Sequence, residues 1–360
     1  MTKIRAILIL SALLLSFWAT CQSLGDYRSF QTGNWNNVNS WETFNGTSWV
    51  IASTIPFSSD GTITIRNGHI ITITSNLSAD QIIVETGGTL TISSSLILND
   101  GTGDDLKVDG TLNIGNAISG DGILIGNGIV NWNSGTLQVP TNLNSSGVFN
   151  ILTSTEKTLN NSLTNNGIIN WSDGNIYLSN ATIANNNQFN ITADNRSLNS
   201  GTGTNSFINN SGGIINKNVS LTPVFIKIPL TNNGAININT GGLINTSTFS
   251  NNKNIYVGIN CNLTNQELGI FNLNEGCVFT GSGNINHNAT TNVNTAIAMP
   301  STLTNTLTNT LKGSGSLNLE GILNWNNGSL QVPTTLSSTA VLNILTSTEK
   351  TLNNSLTNNG

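Results

Sequence analysis

The chain has 360 residues, only 8% of them charged, with a formal net charge of −5 and a pI near 4.9. A soluble domain usually carries roughly 25% charged residues, so the exposed surface here falls to Asn, Thr, Ser and Gly. The acidic balance and the scattered single Lys and Arg exclude the basic stripe that nucleic-acid binding needs.

The length allows two ordinary domains or one solenoid. A polar chain this low in charge invites a disordered reading, but the regular spacing of Ile, Leu and Val argues against it.

Met1 to Cys21 reads as a secretory signal peptide. Lys3 and Arg5 give the positive start, and Ala6 to Trp18 give the apolar stretch. That stretch is short for a membrane span, which needs about 20 apolar residues. Cleavage at or shortly after Cys21 fits. Lipidation of Cys21 is the alternative, although Trp18-Ala19-Thr20 matches a lipoprotein signal poorly. The predicted localisation is secreted or cell-surface, with no transmembrane span beyond the leader.

Residues 22–60 form a segment of different texture. Tyr27, Phe30, Trp35, Trp41, Phe44 and Trp49 are the densest aromatic cluster in the chain. A solenoid needs a cap over its first open coil, and aromatic burial covers it efficiently. An aromatic sugar platform is the functional alternative.

Gly25-Asp26-Tyr27-Arg28-Ser29, Gly33-Asn34-Trp35-Asn36, Ser40-Trp41-Glu42 and Trp49 resemble the mature start of large secreted surface proteins of Bacteroidetes-type bacteria. Gly61-Thr62-Ile63-Thr64-Ile65-Arg66-Asn67-Gly68-His69 and Gly87-Gly88-Thr89-Leu90-Thr91-Ile92 fit the same group. The resemblance implies β-helical repeats, an adhesin-like role and a sorting domain for type nine secretion elsewhere in the protein. It marks no catalytic residues.

From Gly61 onward, short alternating strands are predicted at Thr62–Ile65, Ile70–Ile73, Gln81–Val84, Thr89–Ile92, Leu96–Leu98, Thr111–Ile114 and Ile123–Ile125. Gly, Asn, Asp and Ser punctuate them. An apolar-Asn-apolar triplet then recurs, centred on Asn131, Asn150, Asn170, Asn190, Asn216, Asn237, Asn272, Asn324 and Asn343. The early copies lie about 20 residues apart, the size of one solenoid coil.

Alternation puts the two apolar residues of each triplet on one face and the Asn on the other. One apolar face per unit cannot bury itself alone, whereas stacked coils bury it continuously. The Asn residues are read as one structural column of stacked, hydrogen-bonded amides. Trp132, Trp171 and Trp325 share a position with Ile151, Ile191, Ile238, Leu273 and Ile344, which therefore faces the core; Lys217 breaks that pattern. Asn165-Asn166-Gly167, Asn209-Asn210, Asn232-Asn233-Gly234 and Asn251-Asn252 look like corners.

The predicted fold class is all-β: a parallel β-helix solenoid with coils of about 20 residues and an aromatic-rich N-terminal cap. The repeat domain is assigned to residues 61–360. Ile151 to Gly167 returns identically 193 residues later as Ile344 to Gly360. The sequence stops in mid-repeat, so further domains of a longer chain are expected downstream.

Candidate chemistry is sparse. Asn99-Asp100-Gly101-Thr102-Gly103-Asp104-Asp105 offers calcium ligands in Asp100, Asp104 and Asp105; a solvated turn is the competing reading. Cys261 and Cys277 form either a disulfide, which export permits, or two core thiols. His69 and His287 are read as surface residues, and Glu156-Lys157, repeated as Glu349-Lys350, as a surface pair. Neither His lies near a hydrolase nucleophile signature.

A polysaccharide lyase or hydrolase needs clustered carboxylates. Asp173, Asp194, Arg196, Glu267 and Glu275 are spread over several coils. The expected function is a non-catalytic, adhesin-like stalk that meets glycans or other cell surfaces without a cofactor. A polysaccharide-active enzyme is the alternative. Outward Thr pairs raise ice binding, but their columns do not persist.

Overall fold

The computed structural model describes residues 22–359. The predicted leader, residues 1–21, lies outside them. The described chain is 50% strand and 1% helix, wound as a parallel β-solenoid of about 15 turns with coils of about 20 residues. Stacking at the roughly 4.8 Å strand spacing makes a rod about 70 Å long.

Each coil contributes three short strands, one to each of three faces. In one coil, Val148–Ile151 lies on face 2, Lys157–Leu159 on face 3 and Leu163–Asn165 on face 1. Strands on a face pair in parallel and in register, as in Ile129↔Val148, Val130↔Phe149, Asn131↔Asn150 and Trp132↔Ile151. Along face 2 a ladder of 12 strands runs from Gly33–Asn34 to Val278–Gly281. A four-strand ladder, Ala296–Met299 to Leu356–Asn358, then takes over its place in the chain order.

Several strands have no counterpart in the sequence reading, including Leu77–Ala79, Leu106–Val108 and Ile118–Gly120. Three residues bounded by turns carry a single alternation, too little to register as periodicity. Their ends still face inward: Leu77, Ala79, Leu106 and Val108 are buried.

One core runs through the rod, built from the inward residues of all three faces. Each fully buried Ile, Leu or Phe contributes about 1.5–3 kcal/mol relative to exposure. Trp132, Trp171 and Trp325 all lie in this core. Ile344, in the last described coil, is instead 66% exposed.

At the corner between faces 1 and 2 several coils approach too closely for a side chain and carry Gly there. A Cβ on Gly128 would come within 2.2 Å of the Gly110 carbonyl oxygen, and one on Gly167 within 2.2 Å of that of Gly147.

At the N-terminal end the winding gives way to antiparallel pairing. Tyr27–Ser29 pairs with Trp41–Phe44, which pairs with Trp49–Ile51. Tyr27–Ser29 also pairs in parallel with Ile63–Ile65 of the first coil. Trp35 and Trp41 are buried edge to face, 4.9 Å between centroids. Their indole N–H groups donate to the Pro56 and Trp35 carbonyls, so the burial leaves no donor stranded.

The duplicated segment does not return to the same faces. Val148–Ile151 lies on face 2, whereas its equivalent Val341–Ile344 lies on face 3. Lys157–Leu159 lies on face 3 and Lys350–Leu352 on face 1. The second copy is rotated by one face about the rod axis. The local turn is nevertheless the same: Thr153 and Thr346 both take a positive φ, 63° and 67°. Lys157 Nζ donates to the Thr153 and Thr155 carbonyls, and Lys350 Nζ to those of Thr346 and Thr348.

Candidate functional site

The longest unbroken ladder of outward Asn side chains lies on face 2. There the amides of Asn113, Asn131, Asn150, Asn170, Asn190, Asn216 and Asn237 form one continuous ladder. Each Nδ2 donates to the Oδ1 of the preceding coil at 2.9–3.0 Å. An amide has two N–H donors and two acceptor sites, so each interior rung keeps one of each toward solvent. Thr91 takes the ladder's first bond, and Tyr256 occupies the next register position beyond Asn237.

The nine asparagines read as one column in fact occupy three. Asn131 to Asn237 lie on face 2. Asn272 lies on face 1, bonded to Ser250 and Asn292. Asn324 and Asn343 pair on face 3. All three faces present the same apolar-Asn-apolar pattern, so sequence alone cannot assign the face.

A second ladder runs inside the wall. Asn165, Asn185, Asn209, Asn232 and Asn251 close successive face 1 strands and are fully buried. Nδ2 of each donates to Oδ1 of the next at 2.6–2.7 Å. The same nitrogens reach corner carbonyls, for example Asn209 to Gly213 and Ala235. The sequence marks most of these as corners but gives no sign that they are buried. An Asn closing each strand before a tight corner is the available signal.

The corner between faces 2 and 3 accounts for Lys217. Trp171 Nε1 donates to the carbonyl three residues on, Gly174, at 2.8 Å. Lys217 Nζ does the same to Ser220 at 3.1 Å. In these two coils the side chain supplies a donor that reaches back into its own corner, whereas Ile fills the same position in the coils between and beside them, and the buried Trp132 Nε1 finds no partner there. Lys157 caps the corner after Ile151. Lys157 is therefore fully buried, which corrects its reading as half of a surface pair. Burial pulls its pKa down to about 8, with Asp173 opposing the shift.

Near Lys157, Asp173 pairs with Arg196 at 2.6 Å, and Tyr177 donates to Glu156. Burial works against the Asp173 carboxylate, yet the Gly174 N–H and Arg196 hold its pKa below the usual range. Glu267 and Glu275 sit exposed on other corners. No acid–base pair is assembled from these carboxylates.

The calcium candidates are not gathered into a site. Asp100 and Asp104 are exposed. Asp105 is buried, and its two oxygens take the Gly101 and Ile123 N–H groups. The turn Gly201-Thr202-Gly203-Thr204-Asn205 occupies the equivalent corner without acids; there Asn205 Nδ2 donates back to the Thr202 and Gly203 carbonyls. Among the described residues no group of three His, Cys, Asp or Glu is placed to hold a metal ion.

Cys261 and Cys277 are free thiols, which corrects the disulfide reading. Their separation is less than one coil, so they sit at different corners: Cys261 before the face 3 strand Asn262–Asn265, Cys277 before the face 2 strand Val278–Gly281. Cys277 accepts from Asn251, and burial pushes its pKa up to about 12. A thiol held protonated is a poor nucleophile.

His287 is 1% exposed, which corrects its surface reading. It follows Asn245 and Asn265 in a face 3 register column. Thr291 and Asn305 are its partners. Burial lowers its pKa to about 4, against the Asn305 hydrogen bond. His69 is half-buried and bonded to Ser29.

No helix among the described residues is long and apolar enough to cross a membrane. No protein-family model matches the chain, and no curated protein matches it.

Proposed function

We propose that the chain is a secreted or cell-surface stalk of adhesin type, non-catalytic, which presents neutral amide and hydroxyl ladders to glycans or other cell surfaces. The observation that carries this reading is the unbroken outer Asn ladder of face 2. It keeps donors and acceptors at one constant spacing over successive coils. A rigid repeating surface presents many weak contacts at once, and linked weak contacts gain avidity.

The low charge supports the same reading, because a nearly neutral face meets polar, uncharged polymers without a desolvated ion. The one core that continues from coil to coil supports a length-setting part. The sequence resemblance to Bacteroidetes-type surface proteins supports export.

The test is a glycan array and a cell-adhesion assay with the purified protein. Binding that weakens when Asn150, Asn170 and Asn190 are together changed to Ala is the expected result. No binding above control would remove the adhesive role. Turnover of a polysaccharide that one carboxylate substitution abolishes would overturn the non-catalytic reading.

A further inference from the structure

The N-terminal segment buries Trp35 and Trp41 but leaves a third tryptophan outside. Trp49 stands on the hairpin that continues face 1 past the first coil, on the same outward side as Arg28. Beside it lies a cleft of about 290 Å³, just under the usual range for ligand sites, about 300–1,000 Å³. We propose that this cleft binds a neutral saccharide of one or two rings.

The floor and walls derive from strand register. Arg28 pairs with Thr64 of the first coil, and Thr64 with Ile83 of the second. All three are on the outward side of their strands. Arg28 lies over the Trp49 ring at 4.2 Å and bonds Glu42 at 2.7 Å. Phe44 packs beside Trp49 at 5.5 Å. The Arg–Trp shelf is thus fixed before any ligand arrives, which lowers the ordering cost of binding.

Polar groups converge from the other side. Thr62 and Thr64 bring hydroxyls, and Arg66 and Glu85 complete the rim. Among the described residues the Arg66 guanidinium has no hydrogen bond or ion pair, so its planar donors are uncommitted. One Glu85 oxygen takes the Asn67 N–H, leaving the other as an acceptor. Asp26 is already occupied by the Ser23 and Thr62 N–H groups.

The charges of the lining Arg28, Arg66, Asp26 and Glu85 cancel, which matches an uncharged ligand. Trp49 and Ile83, set among donors and acceptors, match a sugar ring, with its C–H faces and edge hydroxyls.

This inference deepens the adhesive reading and is separable from it. Saturation-transfer NMR and titration calorimetry would use disaccharides of glucose, mannose and N-acetylglucosamine, with glucuronate as the charged comparison. The expected result is binding of at least one neutral disaccharide, weakened tenfold or more in Arg66→Ala and in Trp49→Phe. Lys107→Ala, farther along the same face, should leave it unchanged. A circular dichroism melt matching the parent would certify the fold of each variant. Disaccharide binding that survives both cleft substitutions would overturn the cleft and leave the adhesive stalk standing. Preference for glucuronate would overturn the neutral ligand class. No binding of any disaccharide, with glycan-array adhesion retained, would also overturn the cleft alone.

Discussion

The inner residue that closes each face 1 strand occupies one register column through the rod, yet it changes chemistry twice. In the early coils it is Ile65, Val84, Val108 and, past Gly126, Leu143. From Asn165 to Asn251 it is a buried amide, and at Leu273 and Val293 it is apolar again. The backbone course is the same throughout. An apolar side chain fits because it removes surface from water. An amide fits because its neighbours above and below are amides in the same register. A buried polar group costs little only when it is paired. Polar burial here is therefore a property of the column, and a single amide without its neighbours would be a defect.

The sharpest way to break this comparison is Asn209→Leu. It removes bonds to Asn185 and Asn232 and to the Gly213 and Ala235 carbonyls. At about 1–3 kcal/mol for each stranded group that cannot relax, a loss of about 3–5 kcal/mol in urea unfolding is expected. A loss under about 1 kcal/mol would mean that the ladder holds nothing.

The reverse substitution, Val108→Asn, places one amide among apolar neighbours. It should cost about 2–4 kcal/mol, although the same residue type is native at this position in later coils. Tolerance there would show that the corner itself accepts an amide without a ladder.

His287 supplies a pH-dependent version. Its folded pKa, about 4, lies below its ordinary value of 6.5. The unfolded chain therefore binds more protons between those values. The contribution is complete above pH 6.5 and is lost as pH falls toward 4. Relative to His287→Asn, the parent should lose about 2–3 kcal/mol between pH 7 and 4.5, at about 1.4 kcal/mol per pKa unit. Parallel urea midpoints in the two proteins would discard the idea.

The smallest effect is expected outside the wall. Asn170→Thr interrupts the outer ladder where water replaces the lost bonds, and should cost under about 1 kcal/mol. A larger loss would make the outer ladder as structural as the inner one.

Much of this fold is legible in the residues. The triplets give the coil size, and alternation puts Trp132 and Trp171 inside. The face on which a triplet lands escapes, because Asn170, Asn272 and Asn324 have the same local pattern on three different walls. Burial of Lys157, Lys217 and His287 escapes as well. Each is polar by type and inward by position, and only the corner carbonyls or the stacked column reveal why it is tolerated. The cleft beside Trp49 escapes because it joins residues from the hairpin and from two coils.

The one-face rotation between the two copies of Ile151 to Gly167 bears on how such a gene changes length. Recombination between the copies would keep the reading frame and the local sequence, since the two segments are identical residue for residue. An exchange between them inserts or deletes a stretch that is not a whole number of coils. In most solenoids that would shear the core. Here each wall accepts the strands its neighbour carried, so one exchange lengthens or shortens the rod by about nine turns and a third, and the extra third swings the downstream coils to a new compass bearing around the axis.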